Sequence, residues 1–239
     1  MLSTFSPHEL VFSHGDDKKF RKWHFPSHNV NVSIYWSPFL VKGIEKSDKK
    51  KYNTLFLESV DEKWAGMGQM DLVVLSVGHW FLHSAVYLYG DKVLGCHYCS
   101  GLNDTETTFK TIIEKRRGKI VGGLDVIVTT FSPSHFEGEW DKYGACPETT
   151  IKQVNTAKKE ARKKNVSNNV RFEVVDVTKL AYLRQDGHPG PYMNPFPFAN
   201  GIEERVQNDC VHWCLPGPIN TWDEILLQVI KKMDRHCIW

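Results

Sequence analysis

Three short apolar runs constrain this chain more than anything else in it. They are Asp71-Leu-Val-Val-Leu-Ser-Val77, Leu124-Asp-Val-Ile-Val-Thr-Thr130 and Val170-Arg-Phe-Glu-Val-Val-Asp176. Each has the length of one strand and is rich in β-branched residues. Near-continuous apolar runs of this kind are strands buried on both faces, the pattern of a parallel sheet. Residues 104–117 read as a helix opened by Asp104 or Thr105 as a cap, and 150–164 as an amphipathic helix with a lysine-rich face. Thr221 to Met233 closes the chain as a helix, with Trp222, Ile225, Leu226, Val229, Ile230 and Met233 at helical spacing. Strands alternating with helices of this size predict an α/β fold whose mostly parallel sheet is covered on both faces, a three-layer sandwich. The 239 residues suffice for one such domain, and the chain reads as a single, partial one over 1–239.

The remaining segments are less regular. Residues 22–36 alternate around Val30, Val32, Ile34 and Tyr35 like one strand, ended by Trp36-Ser-Pro38. Lys46 to Lys51 is a charged loop, and Tyr52 to Leu57 a short strand. Ser132 to Pro147 is a long loop, and 183–200, with four prolines, is an ordered loop or lid.

Composition excludes several classes of function. A net charge of +2 gives no general case for nucleic acid, and the lysines at 42–51 and 158–164 lack interleaved aromatics that could stack bases. No run approaches the roughly 20 apolar residues of a membrane span. The even set Cys96, Cys99, Cys146, Cys210, Cys214 and Cys237 fits disulfides and a secretory compartment, with the pairing left open. Zinc at Cys96, His97 and Cys99 is the rival, without a second CxxC. Asn31-Val-Ser33, Asn103-Asp-Thr105 and Asn165-Val-Ser167 are glycosylation sequons. Met1-Leu-Ser-Thr-Phe-Ser-Pro7 lacks a basic then apolar leader, so the expectation is that sequence preceding Met1 is missing. The eight tryptophans, eight tyrosines and thirteen phenylalanines hint weakly at a carbohydrate ligand.

Two places could carry chemistry. Asp209-Cys-Val-His212-Trp-Cys214-Leu-Pro-Gly puts an acid and an imidazole three residues apart before a Pro-Gly turn. His212 can act as a general base, with Asp209 orienting it through Nδ1. The alternative is an Asp cap and a surface histidine. Gly78-His79-Trp80 follows the first buried strand, where ligand loops gather and a glycine can present N–H groups to an oxyanion. Arg184-Gln-Asp186-Gly-His188-Pro is either a turn stabilised by its own side chains or a substrate rim, to which Trp80 and Trp213 are added as candidates. No Gly-x-Ser-x-Gly elbow is present, and Gly15-Asp16-Asp17 has no hydroxyl where a nucleophile belongs.

Taken together, Arg21-Lys-Trp-His-Phe-Pro26, Tyr35-Trp-Ser-Pro-Phe-Leu40, Leu75-Ser-Val-Gly-His-Trp-Phe81, Phe136-Glu-Gly-Glu-Trp140, Arg184 to Pro189 and Asp209 to Pro218 resemble the plant trichome birefringence-like family of polysaccharide O-acetyltransferases, within the SGNH or GDSL esterase-like group. The resemblance implies an SGNH-hydrolase-like domain, disulfide-bonded and Golgi-lumenal behind a membrane anchor. It also implies acetyl transfer to a cell-wall polysaccharide, through an acetylated serine and without a bound cofactor beyond the acetyl donor. Asp209 and His212 fall on that family's acid and base, and Gly78 and His79 on its glycine-histidine block. Residues 75–81 and 93–101 resemble the xyloglucan-acetylating branch. The family's Gly-Asp-Ser block does not occur here, so the first strand and nucleophile turn are expected to be lacking and activity to be absent or much reduced. A noncatalytic glycan-binding protein and a polysaccharide acetyl esterase are the alternatives.

Overall fold

The structure is a computed structural model that describes residues 9–14, 17–48, 50–62, 70–76, 79–100, 125–136, 171–199, 201 and 207–234. The chain, read from sequence as one domain, forms two compact units: residues 1–70 with 79–121, and 71–78 with 122–239. The expected helices at 104–117 and 150–164 lie outside the described residues.

In the first unit, β1 (Glu9–His14), β2 (Asp17–Phe25) and β3 (Val30–Tyr35) form an antiparallel sheet in that order. The single strand expected over 22–36 is therefore two. Pro26 to Asn29 reverses the chain between them, with Asn29 left-handed at φ 50° and its N–H on the Pro26 carbonyl at 3.2 Å. Proline fixes the first turn residue and asparagine tolerates the last. A second sheet has the order β4 (Val41–Ile44), β5 (Asn53–Val60), β7 (Ala85–Tyr89), β8 (Lys92–His97). The β7–β8 hairpin turns at Gly90-Asp91, where Gly90 has φ +57°. A left-handed glycine is what so short a hairpin turn asks for. Phe39, Val41, Leu55, Leu57, Ala85 and Tyr87 bury the inner face.

The second unit holds the parallel sheet of an α/β, SGNH-hydrolase-like fold. Its order is β10 (Phe172–Val175), β9 (Asp125–Thr129), β6 (Leu72–Ser76), all parallel. The three runs expected as buried strands form this sheet, but β6, at the end of the strand order, is only partly buried, with Val74 40% exposed. Val126, Ile127 and Val128 on the central strand are buried, as a strand covered on both faces must be. A 17-residue helix, α2 (Pro218–Asp234), lays Trp222, Ile225, Leu226, Val229, Ile230 and Met233 over Ile127, Val175 and Val177. Arg171 fastens the arrangement at the strand starts: its Nε donates to Asp125 at 2.8 Å, and the same guanidinium reaches the Met233 carbonyl near the helix end.

At the other end of the sheet, strands give way to loops through one hydroxyl. Thr130 Oγ1 accepts the Val177 N–H at 2.9 Å and the Thr178 N–H at 3.2 Å, and lies 2.8 Å from Thr178 Oγ1. This joins the end of β9 to the start of the short helix α1 (Thr178–Tyr182). Replacing Thr130 by valine keeps the shape and leaves two buried N–H groups unpaired. The expected loss is about 1–3 kcal/mol in urea unfolding. Thr129→Val removes only a 3.5 Å contact to the Leu75 carbonyl and is expected to cost under about 0.5 kcal/mol. Equal losses would contradict this account of the Thr130 hydroxyl.

Candidate active site

The site begins with an aspartate that satisfies itself locally. Asp209 Oδ1 accepts the backbone N–H of Val211 at 3.0 Å and of His212 at 2.9 Å. This is an Asx-type turn, which short acidic side chains form readily. The turn folds the His212 ring back, and its Nδ1 meets Asp209 Oδ2 at 2.8 Å. A carboxylate only accepts, so the ring carries its proton on Nδ1 and its lone pair on Nε2. The Asp209 side chain is 9% exposed and that of His212 is 75% exposed. An outward-facing imidazole oriented by a buried carboxylate can take a proton from a hydroxyl at Nε2 and return it. Burial works to raise the Asp209 pKa. The His212 and Val211 N–H groups and the His212 ring outweigh it, and the carboxyl is held below its ordinary value.

The loops after β9 and α1 hold this turn in place. Asp209 and Gly190 exchange backbone hydrogen bonds, both 2.9 Å. Gly190 has φ +54° and ψ −133°, a backbone state that suits glycine alone. His135 N–H donates to the Cys210 carbonyl at 3.1 Å, and Cys214 N–H to the Gly187 carbonyl at 2.9 Å. A Cβ on Gly187 would lie 2.4 Å from Pro218 Cγ and 3.0 Å from the Trp213 ring. Glycine is needed there for the close approach.

Of the groups expected from sequence, the structure brings Asp209 and His212 together. Arg184 and Asp186 pair with each other through two hydrogen bonds of 2.8 Å on the surface. They form a turn stabilised by its own side chains. His188, expected on the rim, is 8% exposed and turned inward, because its Nδ1 donates to the His212 carbonyl at 2.6 Å. Trp213 is half-buried. It packs on His188 with ring centroids 4.0 Å apart and on Trp222 of α2 at 5.2 Å. Trp80 belongs to the first unit, where it packs edge-on against Trp36 and Phe39. His79 is half-buried in the same 3-10 turn, and Gly78 lies outside the described residues.

The cysteines divide. Cys96 and Cys99 form a disulfide, which takes both sulfurs from the zinc alternative. Cys210 is disulfide-bonded, and Cys146 and Cys237 lie outside the described residues. Cys214, expected in a bridge, is a free thiol. Among the described residues no cluster of His, Cys, Asp or Glu could hold a metal, and no helix is long and apolar enough to cross a membrane. Asn31 is exposed on β3, its Oδ1 3.1 Å from His24 Nδ1. Asn103 and Asn165 lie outside the described residues.

Sequence reasoning missed His135. It is 1% exposed, with Nδ1 2.8 Å from His188 Nε2. Its one available signal was position: it follows a core strand at the C-terminal end of a parallel sheet, where functional loops collect.

The chain belongs to the PC-Esterase family, the GDSL/SGNH-like acyl-esterase family found in Pmr5 and Cas1p, which it matches over residues 1–229. It is 55% identical to Xyloglucan O-acetyltransferase 1 of Populus trichocarpa over 265 aligned residues, covering 98% of this chain and 62% of that protein. Xyloglucan O-acetyltransferase 1 of Arabidopsis thaliana is 49% identical, with 97% and 60% covered. Protein trichome birefringence-like 26 of Arabidopsis thaliana is 35% identical, with 92% and 56% covered. The chain thus spans about three fifths of the length of these relatives.

The buried groups set a direction for stability against pH. Burial lowers the pKa of both His135 and His188 below the ordinary imidazole value. As pH falls below about 6.5, the unfolded chain therefore takes up protons before the folded one does, and stability drops. Asp209 adds a second loss at lower pH, as its depressed carboxyl protonates. Unfolding free energy measured in urea is expected to fall steadily from pH 7 to pH 5. His135→Phe should reduce that slope to roughly half by removing one of two titrating imidazoles. A flat wild-type profile would contradict the assignment of both rings as neutral.

Proposed function

We propose that this PC-esterase family member supplies the acid–base machinery of a polysaccharide O-acetyltransferase whose acceptor is xyloglucan. The observation that carries this reading is the 2.8 Å bond from His212 Nδ1 to Asp209 Oδ2 on a ring whose other nitrogen faces solvent. The similar relatives named Xyloglucan O-acetyltransferase support the acceptor. Acceptor and activity both belong to this proposal, since the chain spans only part of those proteins. So does a Golgi-lumenal setting.

In the proposed reaction a serine hydroxyl attacks the carbonyl carbon of an acetyl donor while His212 Nε2 takes the hydroxyl proton. The protonated imidazole, stabilised by Asp209, returns that proton to the departing donor. A sugar hydroxyl then attacks the acetyl-serine, again losing its proton to His212, and the proton passes to the serine oxygen as the ester bond breaks. Gly78, which follows β6 in the sequence, is the candidate for holding the oxyanion. No Gly-Asp-Ser block occurs in the 239 residues, so the sequence by itself provides the base without that nucleophile. An isolated base still assists its reaction, but by orders of magnitude less than an intact triad.

The test is acetyl transfer to xyloglucan oligosaccharides, followed by mass spectrometry. The chain alone is expected to show little or no transfer. A fusion carrying the Gly-Asp-Ser segment of the Populus relative at its amino terminus should be active, and His212→Ala in that fusion should lose about a thousandfold or more. Full activity of the fused His212→Ala variant would remove His212 as the base. Acetate release without acceptor would make the protein an esterase. Glycan binding with neither product from the fusion would favour a noncatalytic binding role.

A further inference from the structure

Two buried imidazoles stand behind the Asp209–His212 turn, and neither takes part in the proton transfers above. His188 Nδ1 lies 2.6 Å from the His212 carbonyl oxygen. A carbonyl can only accept, so His188 keeps its proton on Nδ1. Neutral His188 then presents a lone pair at Nε2. His135 Nδ1 sits 2.8 Å from it and must donate. The result is a one-way chain from His135 through His188 to the carbonyl of the residue whose own ring is the proposed base. The rings are well packed: Trp213 lies 4.0 Å from His188 and 5.8 Å from His135, centroid to centroid. Burial favours the neutral form of both imidazoles and outweighs the backbone hydrogen bonds, with Tyr182 at His135 and with His212 at His188, that favour the charged form.

We propose that His188 is a positioning residue for the acid–base pair: it grips the His212 backbone through its carbonyl, and His135 fixes the tautomer with which it does so. This rests on Asp209 and His212 being that pair. With its side chain 75% exposed, the His212 ring has little packing to aim it. Its direction depends on its backbone and on the one bond from Nδ1 to Asp209. Asp209 already holds the His212 N–H. The carbonyl on the far side of the same residue is held by His188. Releasing it frees the following peptide to rotate and loosens the ring from the Asp209 side outward. A residue present only for packing would be indifferent to which of its atoms donates.

Two amides separate those cases. Asparagine places its NH₂ where His188 has Nδ1, whereas glutamine places it where His188 has Nε2. Hydrogen exchange and imidazole NMR on the full chain are the readouts. His188→Gln is expected to speed exchange of the Val211 and His212 amides about tenfold or more. It should also remove the hydrogen-bonded Nδ1 proton signal of His212. His188→Asn should keep the signal and stay within about threefold of wild type. The amides of β9 and α2 should be unchanged in both. Identical behaviour of the two variants, or no change in either, would overturn the proposal. Should His188→Gln fail to fold, His135→Phe against His135→Asn makes the same comparison one ring further back. Phenylalanine should then loosen the two amides about threefold or more and asparagine should not, and equal effects would count against it. None of these readouts needs a substrate. Inactivity of the fusion that carries the Gly-Asp-Ser segment would therefore refute the proposed function while leaving this result standing.

Discussion

Everything at the site depends on one carboxylate being satisfied within a single turn. Asp209 is nearly buried, and a buried carboxylate without donors would protonate or unfold its surroundings. Three N–H groups prevent this: those of Val211 and His212, and the His212 ring. The spacing matters because the same turn makes all three bonds. An imidazole one residue earlier or later would not return to Oδ2 while the amides reach Oδ1. Asp-x-x-His is therefore a geometric unit. Its alternative reading, an aspartate cap beside a surface histidine, describes the same atoms. The cap is what makes the histidine usable.

That unit does not hold itself in position. The parallel sheet directs its loops to one end, as open α/β sheets do. The loop after β9 brings His135, and the segment after α1 brings Gly187, His188 and Gly190. Both end on residues 209–214, through the Gly190–Asp209 bridge and the bonds to Cys210, His212 and Cys214. The glycines are there for space and backbone conformation. Gly187 lets Trp213 and Pro218 close against the chain, and Gly190 turns it into the bridge. Trp222 carries this packing onto α2 and so to the core that Ile127 and Val175 share.

Much of this was legible in the sequence, and the gaps have physical causes. The β9 run and the last helix were readable because burial on both faces, or on one stripe, writes itself as periodicity; the β6 run is equally apolar although the structure leaves Val74 40% exposed. The pairing of Asp209 with His212 was readable because it is local. The hairpin at Pro26–Asn29 was read through as one strand, since its turn residues interrupt an alternation that continues on both sides. The β7–β8 hairpin is marked only by Gly90-Asp91. His188 and His135 are far apart in sequence, and neither spacing nor composition says that the two rings meet. Burial decided their role, and burial of a single polar residue in a loop leaves no pattern. The inward turn of His188 was hidden for that reason: polar and aromatic residues near a site look alike whether they face the ligand or support the loop.

The choice of imidazole for the supporting pair follows from what the position requires. His188 must donate to a carbonyl on one side and accept from a donor on the other, from inside a packed aromatic cluster. A carboxylate there could not donate, and its charge would compete with Asp209 for the His212 proton. A lysine or arginine could not accept, and its buried charge would need a partner. An asparagine or glutamine has donor and acceptor at the same end of the side chain, so it can reach one neighbour well but not two on opposite edges. Neutral imidazole puts one of each on different edges of a flat ring that Trp213 can cover. The same property limits the device. Once the pair takes up protons, the direction of donation is no longer fixed from His135 toward His212, and the backbone beneath the base loses the grip that the neutral tautomers provide.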